Sequence, residues 1–532
     1  MTTTAERPAA SPQALPAPQT PPALLRALAG VVAAAVAVGV GHLVASLMNP
    51  VASPLLAVGS ALIDAAPTPA KEYAVRTFGT NDKPILVSSI AVVLLVFAAV
   101  IGLLAWRAPR LAYAGIALLG VAGAVAALTR GSVLDTVPSI IAGIAGVAAL
   151  VLLRRTAGRR AARTDQPGAG SVEAAAAGRG RRTFLVGLGV TAAVAAVTGG
   201  GGIVVGRVRA AGAAARRALG LPAAASTAKA LPAGAQIPGM TPFTTAAEDF
   251  YRVDISLVTP RIDASSWSLT IDGMVDNPMT LTYDDLLAMP LVERDITLTC
   301  VSNEVGGSYV STGRWLGVPF TEIIKRVGVK AGVDQVYSYS LDSGYTCSTP
   351  FQAVSDGRDA MVVVGLNGQV LADERGYPAR MLVPGLFGFV SATKWLERIE
   401  FTTYAKRTAY WTERKWATDA PVLTQSRIDM PKSLATLAKD KPVIAGVAWA
   451  QHRGIKKVEI RIDEGDWQDT TLAADAGIDL WRQWSFRYDG PAGLHSAQVR
   501  ATDLDGHAQP EERTKVFPDG ARGWHEIQFT SE

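Results

Sequence analysis

The chain has few side chains suited to metal binding, because its 532 residues include only two cysteines and five histidines. No group of these residues has zinc-ligand spacing, and neither a CxxC nor a CxxCH motif occurs. Zinc modules and covalently attached haem are therefore not supported. Charged residues make up 18% of the chain, yet the mean hydropathy is +0.22. With this length, the composition predicts three or four units in which apolar segments are joined to a soluble region.

The excess of positive charge is small and local. The formal net charge is +5, and it comes mainly from arginines between residues 154 and 217. Because these arginines lie next to apolar stretches, they indicate membrane topology, and no nucleic-acid partner is expected.

The first part of the chain has the pattern of a membrane domain. Residues 1–23 are rich in Pro, Ala, Thr and Gln, which predicts a disordered N-terminus. Residues 24–206 contain five apolar stretches, which are Leu24–Met48, Ile85–Trp106, Leu111–Leu128, Pro138–Leu153 and Phe184–Val205. The first two reach the ~20 residues needed to cross the hydrocarbon core. The third and fourth are shorter, so buried core helices are the alternative there.

Basic residues between the stretches predict the orientation. Arg107 and Arg110 lie between the second and third stretches, and eight arginines from Arg154 to Arg182 lie between the fourth and fifth. Short basic loops stay in the cytoplasm, so the sequence predicts a multi-pass protein of the cell membrane with a cytoplasmic N-terminus. The region after the fifth stretch is then extracytoplasmic. The arginines at 207, 209, 216 and 217 oppose this orientation.

An arginine pair precedes the fifth stretch. The run Gly180-Arg-Arg-Thr-Phe-Leu185 resembles a twin-arginine export signal in an internal position. That route carries folded proteins, so basic residues behind the signal matter less for topology. The alternative is an ordinary stop-transfer flank in which Arg181 and Arg182 adjoin by chance.

Beyond the membrane domain the chain predicts three further regions. Residues 207–240 are rich in Ala, Gly and Pro and are interpreted as a linker. In residues 241–432, alternating stretches such as Glu293–Thr299 predict strands, and the apolar spacing of Phe320–Val327 predicts a helix, which together favour an α+β domain. Residues 433–532 contain short alternating strands with Gly and Asp turns, which predicts an immunoglobulin-like β-sandwich.

Cys300 is the residue with the clearest chemical potential. It ends an alternating strand and enters a polar loop, where a thiolate could serve as a metal ligand or a nucleophile. Two other interpretations are open: a disulfide with Cys347, and an inert buried thiol. A cysteine protease is not supported, because residues 241–432 contain no histidine.

Several short motifs follow one another in a fixed order. They are Phe250–Asp254, Thr297–Asn303, Gly313–Val318, Leu341–Gly344, Arg375–Arg380 and Val383–Trp395. In this order they resemble the sulfite oxidase family of molybdopterin-dependent oxidoreductases. The resemblance extends through residues 433–532, which are similar to that family's C-terminal dimerisation domain. One departure is Arg375, which replaces the usual histidine of a His-Gly-(Phe/Tyr)-Pro-x-Arg motif.

The resemblance implies a molybdenum-molybdopterin cofactor with Cys300 as its metal ligand. It also implies catalytic roles for Cys300, Arg252 and Trp416. The residues that the resemblance assigns to cofactor binding are Phe250, Tyr251, Arg252, Val253, Asp254, Asp342, Arg375, Arg380, Ala392, Thr393 and Lys394. Arginine, lysine and backbone N–H groups suit the cofactor's phosphate, because they supply charge-assisted hydrogen bonds.

The match breaks down at the substrate site. Where family sulfite oxidases have two arginines after the ligand cysteine, this chain has Glu304 and Val305, and Trp416 stands where they have a tyrosine. A small dianion such as sulfite needs cations to offset its charge. The sequence therefore predicts oxygen-atom transfer to or from a small molecule in an altered pocket, which favours an uncharged or larger substrate.

Other functions and partners stay open at this level. A methionine-sulfoxide-type reductase would use the same cofactor, and a surface binding module would need none. Electrons would pass to or from a quinone or a cytochrome, and the C-terminal domain suggests a homodimer. The membrane stretches contain one histidine, His42, which does not support a bis-histidine haem within the chain and is interpreted as a packing residue.

Overall fold

The computed structural model describes residues 20–67, 70, 73, 77–78, 82–129, 132–158, 170–217, 220–342, 344–437, 439–440 and 442–532. The chain divides into two units, Met1–Arg207 and Val208–Glu532. The disorder predicted for residues 1–23 falls mainly outside the described residues, as does the part of the basic segment at 159–169.

The first unit is helical. Its described helices are α1 (Ala23–Leu47), α2 (Pro54–Ala65), α3 (Asp82–Leu104), α4 (Pro109–Leu128), α5 (Val137–Gly158) and α6 (Gly170–Arg217). Five helices in the described ranges are long and apolar enough to cross a membrane, which confirms the five predicted stretches. The short helix α2 is an addition that the sequence analysis misses.

Small residues allow α1 and α3 to pack closely. A Cβ atom at Gly30 would overlap the carbonyl oxygen of Ala98, and a Cβ atom at Gly102 would overlap that of Arg26. Both positions therefore require glycine, because a side chain would push the helices apart. His42 of α1 lies with its Nδ1 3.4 Å from the hydroxyl of Ser53.

The segment predicted as a linker has two parts in the structure. Helix α6 continues to Arg217, past the predicted linker start at 207. Residues 220–240 belong to the second unit and are hydrogen-bonded to other parts of it. The N–H of Ala225 donates to the Leu291 carbonyl at 2.8 Å, and the N–H of Ile237 donates to Gln483 Oε1 at 2.6 Å.

The second unit is rich in strands. Its described strands are β1 (Ser268–Gly273), β2 (Met279–Thr282), β3 (Val292–Thr299), β4 (Val310–Pro319), β5 (Gln335–Ser340), β6 (Thr346–Pro350), β7 (Met361–Leu366), β8 (Gln369–Val370), β9 (Arg380–Leu382), β10 (Leu396–Thr402), β11 (Gln425–Met430), β12 (Thr436–Leu437), β13 (Val443–Trp449), β14 (Ile455–Ile462), β15 (Gln468–Asp469), β16 (Thr471–Leu472), β17 (Arg482–Arg487), β18 (Gly493–Asp503) and β19 (His525–Ser531). Its described helices are α7 (Tyr283–Leu287), α8 (Phe320–Val327), α9 (Gln352–Ser355), α10 (Gly388–Ser391) and α11 (Tyr410–Glu413).

The α+β part is built on two sheets. One has the order β2-β1-β10-β5-β6, and the other has the order β3-β4-β7-β8 with β9 also paired to β7. Strand β7 reads Met-Val-Val-Val-Gly-Leu and is buried throughout, because β4 and β9 pair with its two edges. Strand β3 ends immediately before Cys300, β9 begins at Arg380, and β10 begins two residues after Lys394. The topology thus places the ends of three strands around one site.

Local sequence signals explain the helices of this part. Thr282 and Asp285 form the predicted capping box of α7, each side chain accepting the other residue's backbone N–H. Helix α8 has the predicted bounds Phe320–Val327 and buries Phe320, Ile323 and Val327 on one face. It ends at Gly328, whose φ of +63° is a left-handed C-cap conformation that favours glycine.

The C-terminal part is made of two further sheets. Their strand orders are β11-β13-β17-β16 and β12-β19-β18-β14-β15. Strand β18 alternates buried and partly exposed residues, and its Ala497, Val499 and Ala501 are fully buried in a core that includes Trp484. This period of two is the pattern from which the sequence analysis predicts a β domain.

Candidate functional site

Cys300 is held in a closed loop directly after β3. Its N–H donates to the Tyr309 carbonyl at 3.0 Å, and its Sγ accepts the Ser302 N–H at 3.4 Å. The Cys300 carbonyl accepts the Asn303 N–H at 3.1 Å, and Asn303 Oδ1 accepts the Tyr309 N–H at 2.8 Å. These bonds fix the loop and leave Cys300 only 8% exposed.

The structure excludes the disulfide alternative. Cys300 and Cys347 are both free thiols. Cys347 is fully buried in β6, and its Sγ donates to the Phe389 carbonyl at 3.3 Å. Burial raises the pKa of both thiols, while the charge of Lys394 acts in the opposite direction on Cys300. A buried thiol in this state becomes a thiolate when a metal displaces its proton.

Three buried cations lie near this loop, and we name Arg375, Arg380 and Lys394 the cationic cluster. Arg375 and Arg380 are each 5% exposed, and the side chain of Lys394 is 12% exposed. Gly376 lets the three approach one another. Its φ is +105°, and a Cβ atom there would lie 3.0 Å from Lys394 Cβ and 3.2 Å from Arg380 Cβ.

The arginines of the cationic cluster are held by backbone carbonyls and aromatic rings. Arg375 donates to the Tyr251 carbonyl at 3.0 Å, and Arg380 donates to the Ala392 carbonyl at 3.3 Å. The Arg375 guanidinium lies 5.8 Å from the ring centre of Phe250, and that of Arg380 lies 5.2 Å from the ring centre of Trp315. These neutral contacts orient both side chains and leave their positive charge available.

The charge of the cationic cluster fits an anionic cofactor. Burial lowers the pKa of Arg380 to about 10 and that of Lys394 to about 8, and it lowers the pKa of Arg375 as well. Asp254 pairs with Lys394 at 3.0 Å. Within the described residues, the Nε atoms of Arg375 and Arg380 are buried without a hydrogen-bond acceptor. Buried donors of this kind are costly unless paired, so the phosphate of a pterin cofactor matches them.

The first predicted cofactor loop, Phe250–Asp254, borders the cationic cluster. Phe250 and Tyr251 stack with ring centres 5.6 Å apart, and burial raises the pKa of Tyr251, with the Cys300 charge adding to the effect. Arg252 pairs with Asp254 at 2.9 Å, and its side chain is 38% exposed. Arg252 and the 42% exposed Val253 therefore lie at the rim, whereas Asp254 lies inside.

Three more predicted residues lie next to the cationic cluster along the chain or through hydrogen bonds. Asp342 is 2% exposed, and its N–H donates to Ser340 Oγ, which in turn donates to the Lys394 carbonyl at 2.8 Å. Thr393 is fully buried, and its hydroxyl lies 2.6 Å from that of Ser338. The predicted residue Ala392 contributes its carbonyl, as described above, to Arg380.

Trp416 belongs to a second group, the aromatic cluster of Tyr345, Phe389, Tyr410, Trp411 and Trp416. Neighbouring ring centres are 5.1 to 5.9 Å apart. Trp416 is 9% exposed, and its Nε1 has no hydrogen-bond partner among the described residues. Burial raises the pKa of Tyr345 well above its usual value, and the charges of Cys347 and Cys300 add to this effect. The aromatic cluster therefore extends into electrostatic range of Cys300.

Tyr345 is the site residue that sequence reasoning misses. Its hydroxyl donates to the Phe389 carbonyl at 3.3 Å, next to the contact that Cys347 makes with the same oxygen. It lies just before β6, outside every motif noted in the sequence. A large polar aromatic residue two positions before a buried cysteine is the one signal available, and that signal is not specific.

The part of the chain that carries this site matches a known domain. Residues 256–411 match the model of the oxidoreductase molybdopterin binding domain. Mitochondrial sulfite oxidase of Rattus norvegicus is 24% identical over 324 residues, which cover 51% of this chain and 59% of that protein. Nitrate reductase [NADH] of Ulva prolifera is 31% identical over 173 residues, which cover 26% of this chain and 19% of that protein.

The sulfane dehydrogenase SoxCD from Paracoccus pantotrophus aligns with a TM-score of 0.47 and 21% identity, covering 55% of this chain and 82% of that chain. The present chain spans about three fifths of the length of the sulfite oxidases it matches. The cofactor of the matched domain is molybdenum-molybdopterin. The buried thiol and the cationic cluster agree with the sequence matches, and the chain carries a molybdopterin-binding oxidoreductase domain of the sulfite oxidase type.

Proposed function

We propose that this chain is a membrane-anchored, extracytoplasmic molybdenum-cofactor oxidoreductase that catalyses oxygen-atom transfer with an altered substrate pocket. The observation that carries the proposal is the buried Cys300 thiol beside three buried cations in a matched molybdopterin-binding domain. When bound, the molybdenum-molybdopterin group supplies two-electron oxygen-atom transfer. Cys300 would hold the metal as a thiolate, and the cationic cluster would hold the phosphate end.

The other predicted residues receive supporting roles. Phe250 and Tyr251 pack beside the cationic cluster, and Asp254 balances part of its charge through Lys394. Asp342, Ala392 and Thr393 would shape the floor of the cofactor site. Arg252 lies at the rim, where it could reach an incoming substrate. Its pairing with Asp254 reduces the charge that it offers to an anion.

The altered pocket is supported by the loop after Cys300. Glu304 is exposed, its carbonyl accepts the Gly307 N–H at 2.8 Å, and Val305 is partly buried. Neither position supplies the cation that sulfite would require. The aromatic cluster is neutral apart from its rim, and the indole N–H of Trp416 is a buried donor without an acceptor among the described residues. Such a pocket favours an uncharged substrate whose oxygen accepts one hydrogen bond.

The direction of the reaction has two candidates. The matched relatives include proteins named as an oxidase and as reductases, so family membership does not decide it. A neutral aromatic pocket suits a sulfoxide as well as a neutral reduced substrate, and this supports a methionine-sulfoxide-type reductase as the second candidate.

The proposal also covers the location of the chain and its partners. Five helices of suitable length and the basic residues beside them support a multi-pass anchor with a cytoplasmic N-terminus. The arginine pair at 181–182 supports twin-arginine export. We further propose a quinone or cytochrome as electron partner, and an immunoglobulin-like C-terminal domain that supports a homodimer.

The test is a metal analysis followed by two activity assays. The full chain, purified from a host that makes the cofactor, should contain molybdenum and pterin in equal amounts. Chain that lacks both would overturn the enzymatic proposal and leave a surface binding module. Sulfite-dependent reduction of a dye would favour the oxidase direction, and oxidation of a reduced dye by methionine sulfoxide would favour the reductase.

Replacement of Arg181 and Arg182 by lysine should retain the soluble unit in the cytoplasm, and normal export would contradict the twin-arginine interpretation.

A further inference from the structure

The C-terminal β domain holds the strand that carries Cys300. The backbone N–H of Trp481 donates to Thr297 Oγ1 at 2.9 Å, and the backbone N–H of Thr297 donates to the Asp479 carbonyl at 3.0 Å. Both contacts come from the segment just before β17. They attach β3 to the β domain three residues before the thiol.

A second contact lies next to Cys300 itself. Gln451, which follows β13, donates from Nε2 to Thr299 Oγ1 at 2.7 Å. Gln451 and Thr299 are both fully buried. A hydrogen bond without access to water is expensive to lose, because each partner would keep an unsatisfied polar atom. This bond therefore constrains the residue that precedes the thiol.

The far end of the Cys300 loop is fixed by the same domain. Arg427 donates from Nη1 to the Gly307 carbonyl at 2.7 Å, and Asp429 orients its guanidinium through a contact of 2.6 Å. Gly306 packs against the ring of His525, so closely that a Cβ atom would overlap the ring. Its φ of +77° also favours glycine.

We propose that Gln451 and Arg427 are positioning residues, through which the β domain sets the position of the Cys300 thiolate relative to the bound cofactor. The strand before Cys300 and the loop after it are both tied to the β domain. Movement of the β domain would therefore move the Cys300 thiolate. This role goes beyond dimerisation and beyond the proposed reaction, since it depends only on the cofactor and not on the substrate or the direction of electron flow.

The decisive variant is Gln451→Met, which keeps the side-chain volume and removes the hydrogen bond to Thr299. We expect the molybdenum(V) electron paramagnetic resonance spectrum to change in its g values, because that spectrum reports the geometry of the sulfur ligands. With any substrate that supports turnover, kcat should fall about tenfold while KM changes little, as expected for a misplaced reacting group. Gln425→Met is the matched control, since Gln425 is a buried glutamine of the same domain whose side chain bonds Ala521.

A second pair of variants changes Thr299, the acceptor of the Gln451 hydrogen bond. Thr299→Val removes the acceptor hydroxyl and should reproduce the spectral change, whereas Thr299→Ser keeps the hydroxyl and should restore the native spectrum. In cofactor-free protein, Thr299→Val should also speed alkylation of Cys300 and leave the fully buried Cys347 unchanged. A native spectrum and native alkylation rate in both Gln451→Met and Thr299→Val would overturn the positioning role. If the chain holds molybdenum but turns over neither tested substrate, the proposed function fails. The spectrum and the alkylation rate would still test the positioning role, because neither requires turnover.

Discussion

Two buried groups of side chains lie within electrostatic range of Cys300, and they differ in charge. The cationic cluster places Arg375, Arg380 and Lys394 together, with Asp254 as the carboxylate paired to Lys394. In the aromatic cluster the nearby cation is Arg414, whose guanidinium lies 3.6 Å from the Tyr410 ring centre, and it lies 3.8 Å from a Glu413 carboxylate oxygen. One group carries excess positive charge into the interior, whereas the other is close to neutral.

We propose that this difference separates recognition of the cofactor from recognition of the substrate. Burying three cations is costly, and a bound polyanion would offset the cost, so we propose that the cationic cluster holds the phosphate of the cofactor. The aromatic cluster is close to neutral and has no such cost to offset. This explains how a chain can keep the family's cofactor motifs and depart from its substrate motifs at Glu304, Val305 and Trp416.

The largest expected effect is at Cys300. Cys300→Ser should abolish turnover while the chain still folds and inserts into the membrane, because the oxygen of serine is a poor match for thiophilic molybdenum. Activity assays and membrane fractionation of the same preparation measure both outcomes. Cys347→Ser is the control and should retain activity, since Cys347 contacts the Phe389 carbonyl and lies in a sheet. Full activity of Cys300→Ser would refute the ligand assignment.

The cationic cluster should govern cofactor affinity. Arg380→Met removes a buried donor that the phosphate is expected to use, and a charge-assisted hydrogen bond contributes about 1.5–3 kcal/mol, or roughly 10- to 100-fold in affinity. Molybdenum and pterin retained per chain after dilution measure this loss. Arg398→Met removes an arginine of β10 that pairs with Asp272 at 2.9 Å, outside the cationic cluster, and should retain native content. Equal losses in both variants would indicate a folding effect instead.

A cation added to the loop after Cys300 should raise the affinity of the substrate site for anions. Val305→Arg restores one of the family's arginine positions, and we expect kcat/KM for sulfite to rise about tenfold through a charge-assisted hydrogen bond. The kcat/KM for a neutral sulfoxide should stay level or fall. Leu494→Arg adds the same charge at a 65% exposed position of β18 and controls for overall charge. An unchanged preference in Val305→Arg would mean that other residues define the pocket.

Much of the fold can be predicted because its signals are local. The five apolar helices follow from length and composition, α8 follows from the spacing of Phe320, Ile323 and Val327, and β18 follows from its period of two. The short helix α2 and the contacts of residues 220–240 could not be predicted. Both depend on tertiary packing, since an Ala- and Pro-rich segment has no periodicity that indicates the surface on which it lies.

The site is predictable to the extent that motifs carry it. Arg380 and Lys394 were identifiable from ordered short motifs, and the structure brings them together with Asp254. Tyr345 and Gln451 could not be identified, because each acts through contacts with residues distant in the chain. The bond from Gln451 to Thr299 spans 152 positions, and no local pattern reports a pairing of that range.

The smallest expected effect tests the cost that the cationic cluster imposes on the protein without cofactor. Burial lowers the pKa of Lys394 to about 8, below its ordinary value of 10.5. Between these values the unfolded chain binds more protons than the folded one, so the stability of cofactor-free protein should rise as pH increases from 8 to 10.5. The slope for one proton is at most about 1.4 kcal/mol per pH unit. Below pH 8 both states are protonated, and the full cost of burying the charge is present.

The measurement is the Tm of the full chain followed by tryptophan fluorescence, as the difference between the native chain and Lys394→Met at each pH. Loading with cofactor should flatten this difference, because a bound phosphate keeps Lys394 charged throughout the range. A difference that is equally steep with and without cofactor would mean that the phosphate is not held by Lys394, and the cationic cluster would then be structural.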